Sequence, residues 1–160
     1  MVTQTARAAD DGRAVMTGCD EREAPEVRLV IAEDRPVARK LIIDELSGIA
    51  GFEIVGTAQD GRQAVDLVRA LSPDVVLLDL VMPELDGIEA MERIRAFSDV
   101  GIILLTGSRF DTDTLERAAR KKGADGFFLK PSGSVSVDLY RIRDGLVSEI
   151  RRLARRRQAS

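Results

Sequence analysis

Asp74-Val75-Val76-Leu77-Leu78-Asp79-Leu80-Val81-Met82-Pro83 is an apolar run that ends on a carboxylate and breaks at once into a turn. A run of this kind suits a central parallel strand buried on both faces. Helices cover such a strand, so Asp79 emerges at its carboxyl end. Open α/β sheets place their ligand crevice at that edge.

The flanking sequence repeats the pattern. Upstream, Arg28-Leu29-Val30-Ile31-Ala32 reads as a first strand, followed by Glu33-Asp34-Arg35-Pro36. Asp34 is expected to cap a helix with Pro36 in its first turn, carried by Val37, Leu41, Ile42 and Leu46. Residues 52–58 alternate as a second strand. Asp60-Gly61 opens a helix with Ala64, Val65, Leu67, Val68 and Leu71 on its apolar face, and Ser72-Pro73 ends it. Downstream, Asp86-Gly87 opens a helix bearing Ile88, Met91, Ile94 and Phe97. Residues 101–106 form a fourth buried strand. Residues 111–122 form a helix with Leu115, Ala118 and Ala119 inward and Gly123 at its C-terminal cap. Residues 125–130 form the fifth strand, stopped by Pro131.

Strands and helices alternating at this spacing predict an α/β fold, a five-stranded parallel sheet covered on both faces. The right-handed crossover rule favours the flavodoxin-like order 2-1-3-4-5. Residues 1–26 lack periodicity and read as a disordered leader. Residues 27–137 form the domain, and residues 138–160 a C-terminal helix. Its stripe of Leu139, Ile142, Leu146, Ile150 and Leu153 is expected to dock, in its first part, on the sheet. The arginine-rich end, from Arg151 to Arg157, suits the negative end of a helix dipole, with an anionic partner as the alternative.

Composition bounds the chemistry. The 160 residues carry a net charge of −3, with 44% hydrophobic and 4% aromatic residues. That charge gives no general reason to expect nucleic acid or membrane as a partner. The chain has no His, which excludes His-based triads and His–zinc sites. The lone Cys19 has no internal disulfide partner. The sequence shows neither a membrane-length apolar run nor a signal core, so a reducing cytoplasm is the expected compartment.

In the predicted winding, Glu33, Asp34, Asp79, Thr106 and Lys130 all arrive at one sheet edge. Asp after a strand, Thr at a strand end and Lys before Pro are each commonplace. Their joint placement at four strand ends reads as a site. Clustered carboxylates suit a hard divalent ion such as Mg²⁺. A carboxylate can also be a covalent nucleophile that forms an aspartyl-phosphate. Lys130 and the Thr106 hydroxyl would meet the phosphoryl oxygens, and Gly107 leaves room beside them.

These residues carry a family likeness. From about Val27 to Leu129 and on into the last helix, the chain resembles the receiver domain of bacterial two-component response regulators. The matching residues are Glu33-Asp34, Asp79 with Met82-Pro83 and Asp86-Gly87, Thr106-Gly107, and Lys130-Pro131. The resemblance implies that Asp79 is the phosphoacceptor for a sensor histidine kinase and that the domain then switches a downstream protein target. It implies Mg²⁺ held by Asp34, Asp79, Glu33 largely through water, and the Val81 backbone carbonyl. Thr106 and Phe127 would be the switch pair, with Lys130 on the phosphoryl group and a cis peptide before Pro131. The domain would assist its own phosphorylation and dephosphorylation without being an enzyme toward another substrate.

Glu33 stands where Asp is usual, and Phe127 where Tyr is commoner. Val81 and Ser108 occupy positions that tune hydrolysis in this family, and an apolar Val81 implies a persistent aspartyl-phosphate. Residues 124–140, Val55-Gly56-Thr57-Ala58 and Ile88-Glu89-Ala90-Met91 look similar to the receiver and linker of the chemotaxis protein-glutamate methylesterase. The chain holds no Gly-x-Ser-x-Gly motif and no His, so methylesterase chemistry is not expected in these residues. The chain is expected to be either a piece cut from a methylesterase or a single-domain relative that kept the linker helix. A nucleic-acid-binding regulator is disfavoured for want of a helix-turn-helix.

Overall fold

Strands and helices alternate along the chain in the computed structural model, which describes residues 27–82, 84–107, 112–129 and 135–159, without the side chains of 112, 129 and 135–141. The strands are β1 (Val27–Ala32), β2 (Phe52–Ala58), β3 (Val75–Asp79), β4 (Gly101–Thr106) and β5 (Gly126–Leu129). The helices are α1 (Pro36–Ser47), α2 (Gly61–Leu71), α3 (Gly87–Arg95), α4 (Thr112–Lys121) and α5 (Val135–Gln158). All strand pairs are parallel, in the order β2-β1-β3-β4-β5. Among the described residues, no helix is long and apolar enough to cross a membrane.

Side-chain alternation sorts the core into two layers. Val30, Val76, Leu78, Ile102 and Leu104 face α2 and α3, against Ala64, Val68, Met91 and Ile94. Leu29, Ile31, Val75, Leu77, Ile103 and Leu105 face α1 and α5, against Ile42, Leu46, Leu146, Ile150 and Leu153. All five residues of β3 are buried. Each Val or Leu sequestered this way contributes about 1.5–3 kcal/mol. The edge strand β2 does not alternate cleanly. The register slips between Leu29 and Val30, so Val55 is an extra residue in the β1–β2 ladder.

Several local expectations change. Asp34 is not a helix cap: Arg35 takes the N-cap position of α1 without a side-chain hydrogen bond, and Pro36 is the first helical residue. Helix α3 ends at Arg95, so Phe97 lies beyond it, partly exposed, with the Arg69 guanidinium 4.4 Å from its ring centroid. Ala118 faces solvent, leaving Ala119 as the buried alanine of α4. Helix α5 starts at Val135, and among the described side chains it docks through Leu146, Val147, Ile150, Leu153 and Ala154, whereas Leu139 of the expected stripe lies outside them. The expectations about the leader, Cys19, Ser108, Lys130 and the Pro131 peptide lie outside the described residues.

Two Asp-Gly pairs start α2 and α3 in the same way. The Asp60 and Asp86 carboxylates accept from the Gln63 and Glu89 backbone N–H groups, at 2.8 and 2.9 Å. The glycine after each Asp permits a close backbone approach. A Cβ on Gly87 would lie 2.5 Å from the Asp79 carbonyl oxygen, and one on Gly61 would collide with the Leu85 carbonyl. The start of α3 therefore rests on the end of β3. We expect Gly87→Ala to displace α3 from Asp79 and to cost about 1–3 kcal/mol, as overpacking does. Chemical denaturation checks the loss, and an unchanged midpoint would refute the close approach.

At the opposite sheet edge, Asp125 gathers three groups. Its Oδ2 accepts from Arg95 Nη2 at 2.7 Å and from the Ile102 backbone N–H at 3.0 Å, and its Oδ1 accepts from Arg156 Nη2 at 2.9 Å. Arg95 also donates to the carbonyls of Gly123 and Val100. This half-buried knot ties α3, β4 and the end of α5 together. Asp125→Ala would leave the Ile102 N–H and the Arg95 guanidinium without their carboxylate. We expect a loss of about 2 kcal/mol or more, read by urea titration, with Arg156→Ala costing much less because its pair is more exposed.

Candidate functional site

The site is made where strands end. Register places Ala32 opposite Leu78, Asp79 opposite Leu105, and Thr106 opposite Leu129. The residues at or just past these ends therefore share one edge. Asp79 is the last residue of β3 and only 4% exposed, and Thr106, the last of β4, is 1% exposed. Glu33 and Asp34 follow β1 directly, with Glu33 wholly buried and Asp34 half-buried. One ligand oxygen each from Glu33, Asp34 and Asp79 lies within 4.8 Å of the others.

Burying carboxylates beside one another is costly. At an effective dielectric of about 20, a pair of charges about 4–5 Å apart repel by roughly 3–4 kcal/mol. The cluster therefore favours neighbours that bring positive charge or N–H donors. For Glu33 part of that supply is local. Its Oε2 accepts from the Arg35 backbone N–H at 3.1 Å, and the Arg35 Nε lies 3.7 Å away. The Glu33 main chain is fixed too, donating to the Ala58 carbonyl and accepting from Arg39 Nη1 at 2.8 Å. The longer Glu arm thus curls back over the start of α1, where a negative charge suits the helix dipole.

The structure brings Glu33, Asp34 and Asp79 together and sets Thr106 beside them at the same edge. Asp34 can join the cluster because it is not spent capping α1. Val81 lies in the turn after β3 with its side chain 72% exposed. Phe127 pairs with Leu104 and packs, partly buried, on the α2–α3 side of the sheet. Thr106 lies two residues after Leu104, so alternation gives it and Phe127 the same face. Lys130 follows Leu129 and lies outside the described residues.

Sequence reasoning missed three parts of this site. Arg35 and Arg39 hold Glu33, and Gly87 holds Asp79 against α3. The signal for Gly87 was present in the repeated Asp-Gly pair. Nothing local marks Arg39, whose contact with the Glu33 carbonyl appears only once α1 has turned.

The geometry agrees with comparisons to known proteins. A family model described as the response regulator receiver domain matches residues 29–138. The protein-glutamate methylesterase/protein-glutamine glutaminase of Haloarcula marismortui is 40% identical over 131 residues, which is 82% of this chain and 35% of that protein. The chain spans little more than a third of the length of the curated relatives it matches. Among solved structures, the response regulator domain of Thermotoga maritima CheB superposes with a TM-score of 0.72 at 30% identity, covering 81% of this chain and 96% of that one. A chain of the CheX–CheY–BeF3–Mg complex of Borrelia burgdorferi gives 0.65 at 25% identity, covering 78% of this chain and 86% of that one. With its five-stranded sheet, its edge cluster and its closeness to methylesterase receivers, this chain belongs to the response regulator receiver domain family.

Proposed function

We propose that Asp79 accepts a phosphoryl group from the phosphohistidine of a sensor histidine kinase, and that the modified domain changes which protein it binds. The observation that carries this reading is the nearly buried Asp79 carboxylate at the end of the central strand, with Glu33 and Asp34 oxygens within 4.8 Å. An Asp79 carboxylate oxygen forms the new bond to phosphorus. The P–N bond to the donor imidazole breaks, and the ring nitrogen keeps the electron pair.

The residues fit Mg²⁺, which takes oxygen ligands at about 2.0–2.1 Å and often bridges carboxylate to phosphate. Glu33, Asp34, Asp79 and the Val81 carbonyl would hold it. When bound, it would neutralise the carboxylates and the phosphoryl oxygens. The Borrelia complex, one chain of which shares this fold, contains Mg, which supports the assignment. The Thr106 hydroxyl donates to a phosphoryl oxygen, and Lys130 adds a cation. Phe127, on the face of Thr106, changes rotamer as Thr106 turns toward the phosphoryl group and so alters the surface around β5. Such a partner would be cytoplasmic, as would this domain.

A second reading is favoured by the methylesterase relatives: the domain is the regulatory part of a chemotaxis protein-glutamate methylesterase. A segment with a Gly-x-Ser-x-Gly motif encoded in frame downstream would decide for it.

Incubation with acetyl phosphate and Mg²⁺ should add one phosphoryl mass to the intact protein. Asp79→Asn or chelation of the metal should abolish the adduct. A folded, Mg²⁺-binding protein that never gains the mass would overturn the proposal. Val81 also sets a lifetime. An exposed apolar side chain offers no hydrogen bond to the attacking water, so the adduct should persist for minutes or longer, and Val81→Asn should shorten it. Decay of the wild-type adduct within seconds would sink this expectation.

A further inference from the structure

Away from Asp79, a groove of about 620 Å³ runs between the carboxyl end of α1 and the outer side of α5. Gly48, Ile49, Val147, Arg143, Arg151 and Arg155 line it. Through the shared Arg151 and Arg155 it continues into a hollow of about 250 Å³ against Val27, Ala154 and Gln158. Arg151 donates to the Ala50 carbonyl at 3.2 Å and lies 5.3 Å over the Phe52 ring, contacts that leave its charge unneutralised. Arg155 is exposed and makes no ion pair among the described residues. Arg143 is already committed, donating to Glu45 at 3.4 Å and lying beside the lining carboxylate Asp144, so the surplus charge is that of Arg151 and Arg155. The groove therefore combines an apolar floor with surplus positive charge.

The chain enters this groove at Val27, whose N–H donates to the Gly51 carbonyl at 3.0 Å. The sequence immediately before it, residues 20–26, holds Asp20, Glu21, Glu23 and Glu26 against a single Arg22. We propose that residues 20–26 dock along this groove, setting their carboxylates against Arg155 and Arg151. The lengths agree. Seven extended residues reach about 23 Å, and the stretch of α5 between Gln158 and Arg143 rises about 22 Å. Each exposed ion pair is weak, but the covalent tether supplies a high effective concentration.

Cys19 is the sole cysteine, so a nitroxide attached there reports on the segment in the full 160-residue chain. Docking predicts loss of amide intensity centred on residues 143–148, the far end of the groove from Val27. The loss should disappear in high salt and in the Glu21→Lys, Glu23→Lys, Glu26→Lys variant, which leaves the described fold untouched. Intensity loss confined to the surroundings of Val27, or insensitive to salt and charge reversal, would overturn the proposal. A mixture of nitroxide-bearing chains with isotope-labelled, nitroxide-free chains should show no loss. Loss in that mixture would assign the groove to a second copy instead.

Discussion

The burial of β3 on both faces constrains everything else. With β1 and β4 hydrogen-bonded along its edges and helices above and below, the interior of this strand has no exit to water. A polar side chain placed there would be buried without a partner, at a cost of a few kcal/mol. The first position at which β3 can carry a carboxylate is its last residue. The same holds for the neighbouring strands, so Glu33 and Thr106 are pushed to the same edge by the same rule. The reactive cluster is what remains when polar groups are excluded from the middle of a doubly covered sheet.

Exclusion alone would scatter those groups along the edge. Two glycines draw them in. Gly87 lets the start of α3 touch the Asp79 carbonyl, and Gly61 lets α2 press on Leu85 in the β3–α3 loop. That loop is therefore gripped from two sides, with the Gly87 N–H donating to the Leu80 carbonyl at 2.8 Å. Val81 is carried out beside the site as a consequence, exposed although apolar. A looser loop would leave both the Asp79 backbone and the Val81 carbonyl free to wander.

The strands were legible because their signal is local. Runs such as Val75-Val76-Leu77-Leu78 and Ile102-Ile103-Leu104-Leu105 declare their own burial, and parallel order followed from the intervening helices. The caps at Asp60 and Asp86 were legible for the same reason. The assignment of Asp34 as a cap failed because Arg35 stands between it and Pro36, and the proline already fixes the first helical turn. Phe97 was placed on α3 because its apolar spacing continues past the point where the helix stops. The Asp125 knot had no local mark at all, since its partners lie thirty residues away on either side. Convergence of Glu33, Asp34 and Asp79 follows from the topology alone, whereas the arginines that hold Glu33 reach it only through the turn of α1.

The arginine-rich end shows why net charge alone is a poor guide to partners. Its residues look equivalent in sequence and have different fates in the fold. Arg152 pairs with Glu149, Arg156 with Asp125 and Arg157 with Asp99, while Arg151 lies over Phe52. A phosphate backbone seeking this run would have to take Arg156 and Arg157 from carboxylates that anchor α5 to the bottom of the sheet. Helix dipole compensation explains the position of these cations, but not their pairing. The pairing makes the end of α5 a clasp, holding the helix whose inner stripe closes the core beneath Leu77 and Ile103. Only Arg155 and, in charge, Arg151 remain uncommitted, and both face the groove from which β1 begins.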